Sequence, residues 1–244
     1  LPNQAFGLND VLFDWTSFEI PKGTCAIKSI QIIMPGTDAT AANAGLDFDL
    51  YIARSINGVA PPTLGTTNAA MNVISATAAK PYIIAYQGID GSVLEDSGDG
   101  LVGYNMLGGG VTAEKYDRTV IEGEPAYAST EGYQTIWVAG VAQGAYNFGT
   151  ACLLDGAILT GAAGAQALDV SEDTDADDVF AVGDELLACA ANGTSVQTIG
   201  TVTAVAADTV TVDAKDIDGT AVWESGALAD DDEICFRRPL TLHL

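Results

Sequence analysis

The sequence predicts an all-β protein: a jelly-roll-like antiparallel β-sandwich followed by a small SH3-like or otherwise curled β-barrel. Residues 46–52 alternate apolar and polar side chains, as a strand with one buried face does. About six to eight segments rich in Val, Ile, Thr and aromatic residues, separated by turn-rich loops, precede Gly156. The composition shifts near Gly156, and short strands resume after an acidic run. These observations indicate two β domains.

The strand at residues 46–52 defines the first domain most clearly. A strand directs successive side chains to opposite faces, so we expect one face to be buried and the other to be in solvent. A shift of one residue would place two aspartates in the core, which should fix the register. The residues expected to face the core are Leu46, Phe48, Leu50 and Ile52. Those expected to face solvent are Asp47, Asp49 and Tyr51.

The rest of the first domain is predicted from turn signals between apolar runs. Pro21-Lys22-Gly23 ends the first strand and Pro35-Gly36 ends the second. Residues 57–68 are predicted to be a long loop with little that could pack, residues 69–79 a short helix, and residues 89–110 an exposed excursion. The other predicted strands are 11–20, 26–34, 82–86, 111–121, 133–141 and 146–154, the last of which closes the first sheet system.

The second domain is predicted over residues 179–244, after a sandwich domain at 1–155 and an acidic, small-residue linker at 156–178. Asn192-Gly193 is a strong hairpin signal, because both residues tolerate positive φ. Gly200 is predicted to form a β-bulge. The strands of this small barrel are predicted at 182–189, 196–205, 209–213 and 233–237.

The charge balance argues against two classes of partner. The chain carries 33 acidic residues against nine basic ones, a formal net charge of −24. Nucleic-acid binding depends on Lys and Arg that neutralise phosphates, so this surface disfavours nucleic acid, and it repels anionic membranes as well. A strongly solvated exterior is the favoured interpretation. We recognise neither a secretory signal nor an apolar window of the roughly 20 residues needed to cross a bilayer.

The four cysteines lie far apart in the sequence, with no Cys-x-x-Cys motif and no histidine nearby, which argues against zinc. Cys189 and Cys235 fall in strands that should share the small domain, so a bridge between them is geometrically possible. Buried free thiols are favoured, because an isolated cysteine usually behaves as a small apolar residue. The redox state of Cys25, Cys152, Cys189 and Cys235 stays open.

The inventory of catalytic groups is small, and the sequence predicts a non-enzymatic protein without a cofactor. The single histidine, His243, lies one residue from the end of the sequence. Neither a nucleophile-elbow motif nor a phosphate-binding loop occurs. Residues 98–103 match the glycine pattern of dinucleotide sites, but no strand leads into them and no helix follows, so a glycine-rich surface loop is favoured. No catalytic, cofactor-binding or metal-binding residue is therefore assigned.

The acidic run offers one alternative, a calcium site. Asp173, Asp175 and Asp177 alternate as in a helix-flanked calcium loop, and Asp184 falls at the twelfth position of that loop. Asp178 occupies the position where the loop requires glycine, and no flanking helix is predicted. A solvated acidic linker is favoured, and calcium binding by these aspartates stays open.

Tyrosines raise a carbohydrate-binding alternative. Exposed rings could form a platform for sugars, whereas the aromatic residues of strands more often belong to a core or to a subunit interface. The tyrosines concerned are Tyr104, Tyr127, Tyr133 and Tyr146.

The order of segments resembles a recurring class of tailed-bacteriophage virion structural proteins. In the first domain the resemblance rests on the turn at 20–24 (Ile-Pro-Lys-Gly-Thr), the strand at 27–34, the acidic alternating strand at 47–52 and the segment 64–70 (Leu-Gly-Thr-Thr-Asn-Ala-Ala). The second domain is similar to small β modules appended to such proteins. Its matching segments are 182–185, 199–202 and 210–213.

The resemblance implies a virion protein on the capsid exterior: a decoration or cement protein that binds the outer face of the head through protein–protein contacts. Its partners would be the major capsid protein or other virion proteins, and it would form a homo-oligomer, with a trimer favoured. The alternative is a carbohydrate-binding receptor or adhesion module on a fibre or appendage. The resemblance transfers no functional residue, because the class is defined by shape.

Overall fold

A computed structural model shows an all-β chain, which confirms the predicted fold class. Its helical content, in the part of the chain that it describes, is two single 3-10 turns, Pro125–Tyr127 and Ala176–Asp178. Within those same residues, no helix has the length and apolarity required to cross a bilayer. The residues described are 5–27, 30–34, 47–71, 78–89, 95–96, 102–106, 120–128, 130–147, 152–157, 164–171, 175–190, 196–214, 228–238 and 241–243.

The strands pair antiparallel throughout, as expected for short strands joined by turns and loops. In chain order they are β1 (Ala5–Phe6), β2 (Val11–Pro21), β3 (Cys25–Ala26), β4 (Ile30–Met34), β5 (Phe48–Arg54), β6 (Ile83–Ile89), β7 (Glu95–Asp96), β8 (Val102–Met106), β9 (Val120–Ile121), β10 (Tyr133–Ala142), β11 (Tyr146–Asn147), β12 (Cys152–Leu153), β13 (Gly164–Asp169), β14 (Glu185–Cys189), β15 (Gln197–Ala206), β16 (Thr209–Ala214), β17 (Glu233–Phe236) and β18 (Thr241–His243).

Two four-stranded sheets form the sandwich. Their orders are β2-β10-β5-β6 and β18-β4-β8-β7, and the two-stranded ribbons β1-β11 and β3-β9 accompany them. One buried cluster joins the sheets, because it contains Ile30 and Ile32 of β4 as well as Phe48, Leu50 and Ile52 of β5. Phe48, Leu50 and Ile52 are on the face of this strand that was predicted to be buried, and each is fully buried.

The opposite face of this strand is covered beyond Asp47, so the prediction that it lies in solvent is confirmed for Asp47, which is exposed, and was wrong for Asp49. Asp49 is only 7% exposed and Ala53 is fully buried. The predicted loop after β5 returns across this face and places Leu64 in a second small cluster. Backbone contacts hold it there: the Leu64 N–H donates to Asp14 Oδ1 at 2.9 Å, and Trp15 Nε1 donates to the carbonyl of Pro62 at 2.8 Å. The loop therefore does pack.

Four other predictions for the first domain need correction or lie partly outside the described residues. The excursion predicted at 89–110 contains β7 and β8, and β8 pairs with β4 inside the second sheet. Residues 69–71 and 78–79 of the predicted helix are not helical, and residues 72–77 lie outside the description. Of the strand predicted at 111–121, only β9 is described. The segment 146–154 does not close one sheet, because β11 pairs with β1 while β12 pairs with β17.

The second sheet system is a six-stranded curled sheet of order β12-β17-β14-β15-β16-β13. Its two edges meet, because Leu154 and Val170 form an antiparallel bridge. Around this bridge the Ser171 N–H donates to the Leu153 carbonyl at 2.9 Å, and the Asp155 N–H donates to the Asp169 carbonyl at 2.9 Å. The curled sheet encloses its own apolar cluster, separate from that of the sandwich.

This sheet does not follow the predicted boundaries. β12 lies in the range predicted as the first domain, and β13 lies in the range predicted as a linker. Leu168 and Val170, which alternate with small or polar residues at the end of β13, are buried in the second core, and Ala176 of the following 3-10 turn is buried there as well. At the other end, β18 leaves the predicted barrel and pairs with β4 of the sandwich.

The bulge predicted at Gly200 is confirmed. Leu186 is opposite Gly200 while Leu187 is opposite Thr198, so β15 carries one extra residue at this point. Gly200 has a φ of +141°, which glycine adopts far more readily than other residues. The predicted Asn192-Gly193 hairpin lies outside the described residues, although the antiparallel pairing of β14 and β15 on either side agrees with it.

Candidate functional site

Four large apolar side chains are exposed at one end of the sandwich, and we call this group the apolar end. Exposed apolar residues that lie together in one region are candidates for contact with another molecule. The apolar end consists of Val59 (57% exposed), Val120 (59%), Tyr127 (57%) and Tyr133 (44%).

The sheet topology places these residues together. β10 begins at Tyr133, which pairs with Pro21 at the end of β2. β5 ends at Arg54, beside Ile136, so the hairpin that carries Val59 projects from the same end of the sheet. The turn after Pro21 leads into β3, which pairs with β9, the strand that contains Val120.

The hairpin carrying Val59 is a tight turn. Ile56 and Val59 exchange both backbone hydrogen bonds at 3.0 Å, and the turn residues Asn57 and Gly58 have φ values of 52° and 72°. Asn-Gly is the preferred pair for this turn type, because it requires positive φ at both positions. The Glu124 carboxylate then accepts the N–H of Asn57 at 2.7 Å and of Gly58 at 2.9 Å. One carboxylate therefore fastens the hairpin tip to the neighbouring segment.

The segment 120–128 packs closely against its neighbours. A Cβ atom added to Gly58 would lie 2.8 Å from ring carbons of Tyr127, so this ring lies directly over the glycine. A Cβ atom added to Gly123 would lie 2.9 Å from the carbonyl oxygen of Thr135 in β10. Both glycines permit approaches that any larger residue would prevent. The apolar end is thus held in a preformed arrangement.

A second feature is a polar network on the covered face of β5. Tyr86 Oη donates to Asp49 Oδ1 at 2.8 Å, and Gln143 Nε2 donates to Asp49 Oδ2 at 2.6 Å. Burial raises the pKa of the Asp49 carboxyl, although the bond from Tyr86 opposes this effect. The same bond, with burial and the nearby negative charge, raises the pKa of Tyr86 to about 12. The network positions Tyr86, whose ring lies 5.6 Å from that of Tyr51.

Removing the charge of Asp49 should change the titration of Tyr86. The phenol of Tyr86 loses a donated hydrogen bond when it ionises, so its folded-state pKa of about 12 lies above the unfolded value of about 10. The contribution of the Tyr86–Asp49 hydrogen bond to the stability of the fold is therefore complete below pH about 10 and is lost as the pH rises towards about 12. In Asp49→Asn we expect the pKa of Tyr86 to fall, measured as phenolate absorbance against pH.

The control for this titration is Asp47→Asn, because the carboxylate that raises the pKa of Tyr86 is that of Asp49. Its phenol titration should match that of the wild type. The network would be contradicted if no tyrosine of the wild type had a raised pKa. It would also be contradicted if the raised pKa were unchanged in Asp49→Asn.

The other residues singled out in the sequence are not brought together. His243 lies in β18 opposite Gln31. Asp184 Oδ2 accepts the N–H of Ala181 at 2.8 Å and so closes a turn. Asp173 lies outside the described residues, and within them Asp175, Asp177 and Asp184 are not gathered into a possible metal cluster. Calcium binding stays a prediction.

The tyrosines proposed for carbohydrate binding divide into two groups. Tyr127 and Tyr133 belong to the apolar end, whereas Tyr104 and Tyr146 lie in β8 and β11, where side chains are not described. Sequence reasoning did not select Val59, Val120 or Glu124. Asn57-Gly58 was the available signal, because this pair between apolar residues predicts a tight hairpin.

The cysteine predictions are partly confirmed. None of the four cysteines is in a disulfide; Cys25 is half-buried and the other three are buried. Cys189 and Cys235 come together as expected, with their Sγ atoms 3.8 Å apart. The carboxylate of Glu233 joins them, and the ligating atoms of the three residues all lie within 4.8 Å of one another.

Comparison of the chain with family models, with curated proteins and with solved structures found no match. The apolar end, the Asp49 network and the cysteine–glutamate group are therefore its candidate functional features, each defined by its own geometry.

Proposed function

We propose that this protein is a non-enzymatic virion structural protein, a decoration or cement protein on the outer face of a capsid. Its copies form a homo-oligomer, with a trimer favoured, and meet one another through the apolar end. The single observation that carries the proposal is the apolar end itself: preformed, exposed and apolar on a chain that is otherwise strongly acidic.

The composition of the apolar end suits a protein interface. Tyrosine is enriched among residues that dominate binding energies, because its large ring buries much area at little cost in conformational entropy. The Glu124 carboxylate and the ring of Tyr127 hold the hairpin of Val59 in place before any partner arrives. Binding a preformed surface avoids the entropy cost of ordering it.

The net charge of −24 suits an outward-facing position. Strong like charge keeps a protein soluble at high local concentration, and it opposes contact with the phosphates of packaged DNA. The same charge makes copies of the chain repel one another, so an apolar contact must overcome this repulsion. These opposing requirements favour a compact apolar contact within an acidic exterior.

Immunogold labelling of virions that contain this chain tests the proposed location. An antibody raised against the full chain should label heads densely and regularly, because a decoration protein repeats with the capsid lattice. Virions that contain a different decoration protein serve as the negative control. Label confined to tails, or a chain absent from purified virions by mass spectrometry, would contradict the proposal.

Carbohydrate recognition is the second candidate, and one observation favours it: the rings of Tyr127 and Tyr133 are exposed in the same region. Sugars stack on such rings in many binding sites. Under this alternative the chain belongs to a receptor or adhesion module on a fibre or appendage. Gold label on an appendage, together with binding on a glycan array, would support it over the decoration proposal.

A further inference from the structure

The cysteine–glutamate group lies on one face of two neighbouring strands. Cys189 in β14 is directly opposite Glu233 in β17, and Leu187 is opposite Cys235. Since residues two apart on a strand share a face, the two thiols and the carboxylate project to the same side. Their Sγ atoms are 3.8 Å apart, and all ligating atoms lie within 4.8 Å of one another.

This face is not the one that lines the apolar core of the curled sheet. The alternate residues, Leu186, Ala188 and Ile234, belong to that core. The two cysteines are nevertheless fully buried, and Glu233 is only 4% exposed. A carboxylate buried to this extent needs polar neighbours, and the two thiols are among those beside Glu233. The group is therefore a buried polar site outside the core.

The register is poorly suited to a disulfide between the two cysteines. Cys189 and Cys235 are diagonal neighbours, because each is directly opposite a different residue. Diagonal side chains on paired strands are typically about 7–8 Å apart, somewhat less between Cβ atoms, whereas a disulfide requires Cβ atoms about 3.5–4.5 Å apart. Their Sγ atoms are in contact at 3.8 Å without a covalent bond.

We propose that Cys189, Cys235 and Glu233 form a binding site for a thiophilic divalent cation, Zn²⁺ in the first instance. Thiolates bound to tetrahedral zinc at about 2.3 Å are separated by about 3.8 Å. The Sγ atoms are already at this separation. Thiolate and carboxylate are both ligands that zinc accepts, and a solvent molecule would take the fourth position.

Charge explains why a cation suits the group. The two thiols contact one another and lie beside a carboxylate on the same face of the strand pair. A divalent cation compensates the charge of two thiolates beside a carboxylate, and coordination removes both thiol protons. Binding should therefore strengthen as the pH rises.

The proposed site would act as a clamp within the curled sheet. It joins β14 to β17 through residues 46 positions apart in the sequence. A cation that binds the folded chain and not the unfolded chain stabilises the fold by mass action. This role is independent of the proposed capsid function, so either proposal can fail without the other.

Cobalt and zinc test the site in the full-length, tag-free chain. The chain is refolded with Co²⁺, and we expect the near-ultraviolet thiolate-to-cobalt charge-transfer absorption, which carboxylates of the acidic surface do not produce. Zn²⁺ should displace it. Cys189→Ala and Cys235→Ala should each weaken Co²⁺ binding by more than about 10-fold. Losing even a residue that only hydrogen-bonds to a metal ligand typically weakens metal binding by about that much. Cys152→Ala, a buried cysteine on the core side, is the matched control and should bind normally.

Glu233→Gln keeps the side-chain shape but removes the carboxylate, so it distinguishes the contribution of the carboxylate to binding from that of the thiols. It should retain the charge-transfer absorption with weaker affinity. If a cysteine variant does not fold, peptide mapping of the wild type replaces it: Zn²⁺ should slow alkylation of Cys189 and Cys235 but not that of Cys25, a half-buried thiol in β3 of the sandwich. Absence of the absorption in the folded wild type, equal alkylation with and without Zn²⁺, or a Cys189–Cys235 disulfide in the purified chain would overturn the proposal.

Discussion

Replacing Phe180 with alanine is expected to reduce the free energy of unfolding by about 3–5 kcal/mol, the usual cost of removing a buried aromatic ring. Phe180 is 1% exposed in the core of the curled sheet. Its ring packs edge-on against that of Phe236, with centroids 5.3 Å apart, so the variant loses this contact as well as buried area. Denaturant unfolding followed by circular dichroism measures the change.

Val182→Ala is the control for this prediction, because Val182 lies two residues away and is 69% exposed. Its stability should remain within about 0.5 kcal/mol of the wild type. A loss of less than about 1 kcal/mol in Phe180→Ala would mean that the second apolar cluster is not a packed core.

Introducing charge at the apolar end is expected to dissociate the proposed homo-oligomer. A side chain that dominates an interface contributes about 2 kcal/mol or more, which is about a 30-fold change in the association constant. Val59→Asp combined with Tyr127→Asp should therefore weaken association by about 100-fold or more, and the added charges increase repulsion between acidic copies. Sedimentation velocity across a dilution series measures the shift towards monomer.

Leu8→Asp is the matched control for the apolar end. Leu8 is 60% exposed, but its turn lies at the opposite end of the sheet, where the Asn9 N–H bonds to the carbonyl of Ala142. This variant adds one negative charge, where the double variant adds two, at a comparable exposure, and it should associate normally. Equal loss of association in both variants would indicate a general effect of charge.

Alternation predicted much of the fold. Phe48, Leu50 and Ile52 repeat with period two and are buried between the sheets as expected. The prediction for Asp49 was wrong, because the period identifies two faces of a strand but not what covers the second face. The cover comes from the segment around Leu64, a single large apolar residue among prolines, threonines and glycine, whose packing depends on contacts far apart in the sequence.

The second domain shows the same limit. Leu168 in β13 and Val170 just after it share one face, but the small residues around them concealed the strand, and its partner strand lies 40 or more residues away in the sequence. The cysteine–glutamate group was missed for a related reason. A spacing search finds ligands that are close in sequence, whereas Cys189 and Glu233 meet only through the pairing of β14 and β17.

The native mass of the assembly tests the central claim, that copies of this chain meet through the apolar end. Sedimentation equilibrium of the wild type should give a multiple of the chain mass, with three copies favoured. Association should strengthen with added salt, because salt screens the repulsion between copies of net charge −24. A monomer at every concentration and salt level, or an oligomer that is unchanged in the Val59→Asp, Tyr127→Asp variant, would contradict the claim.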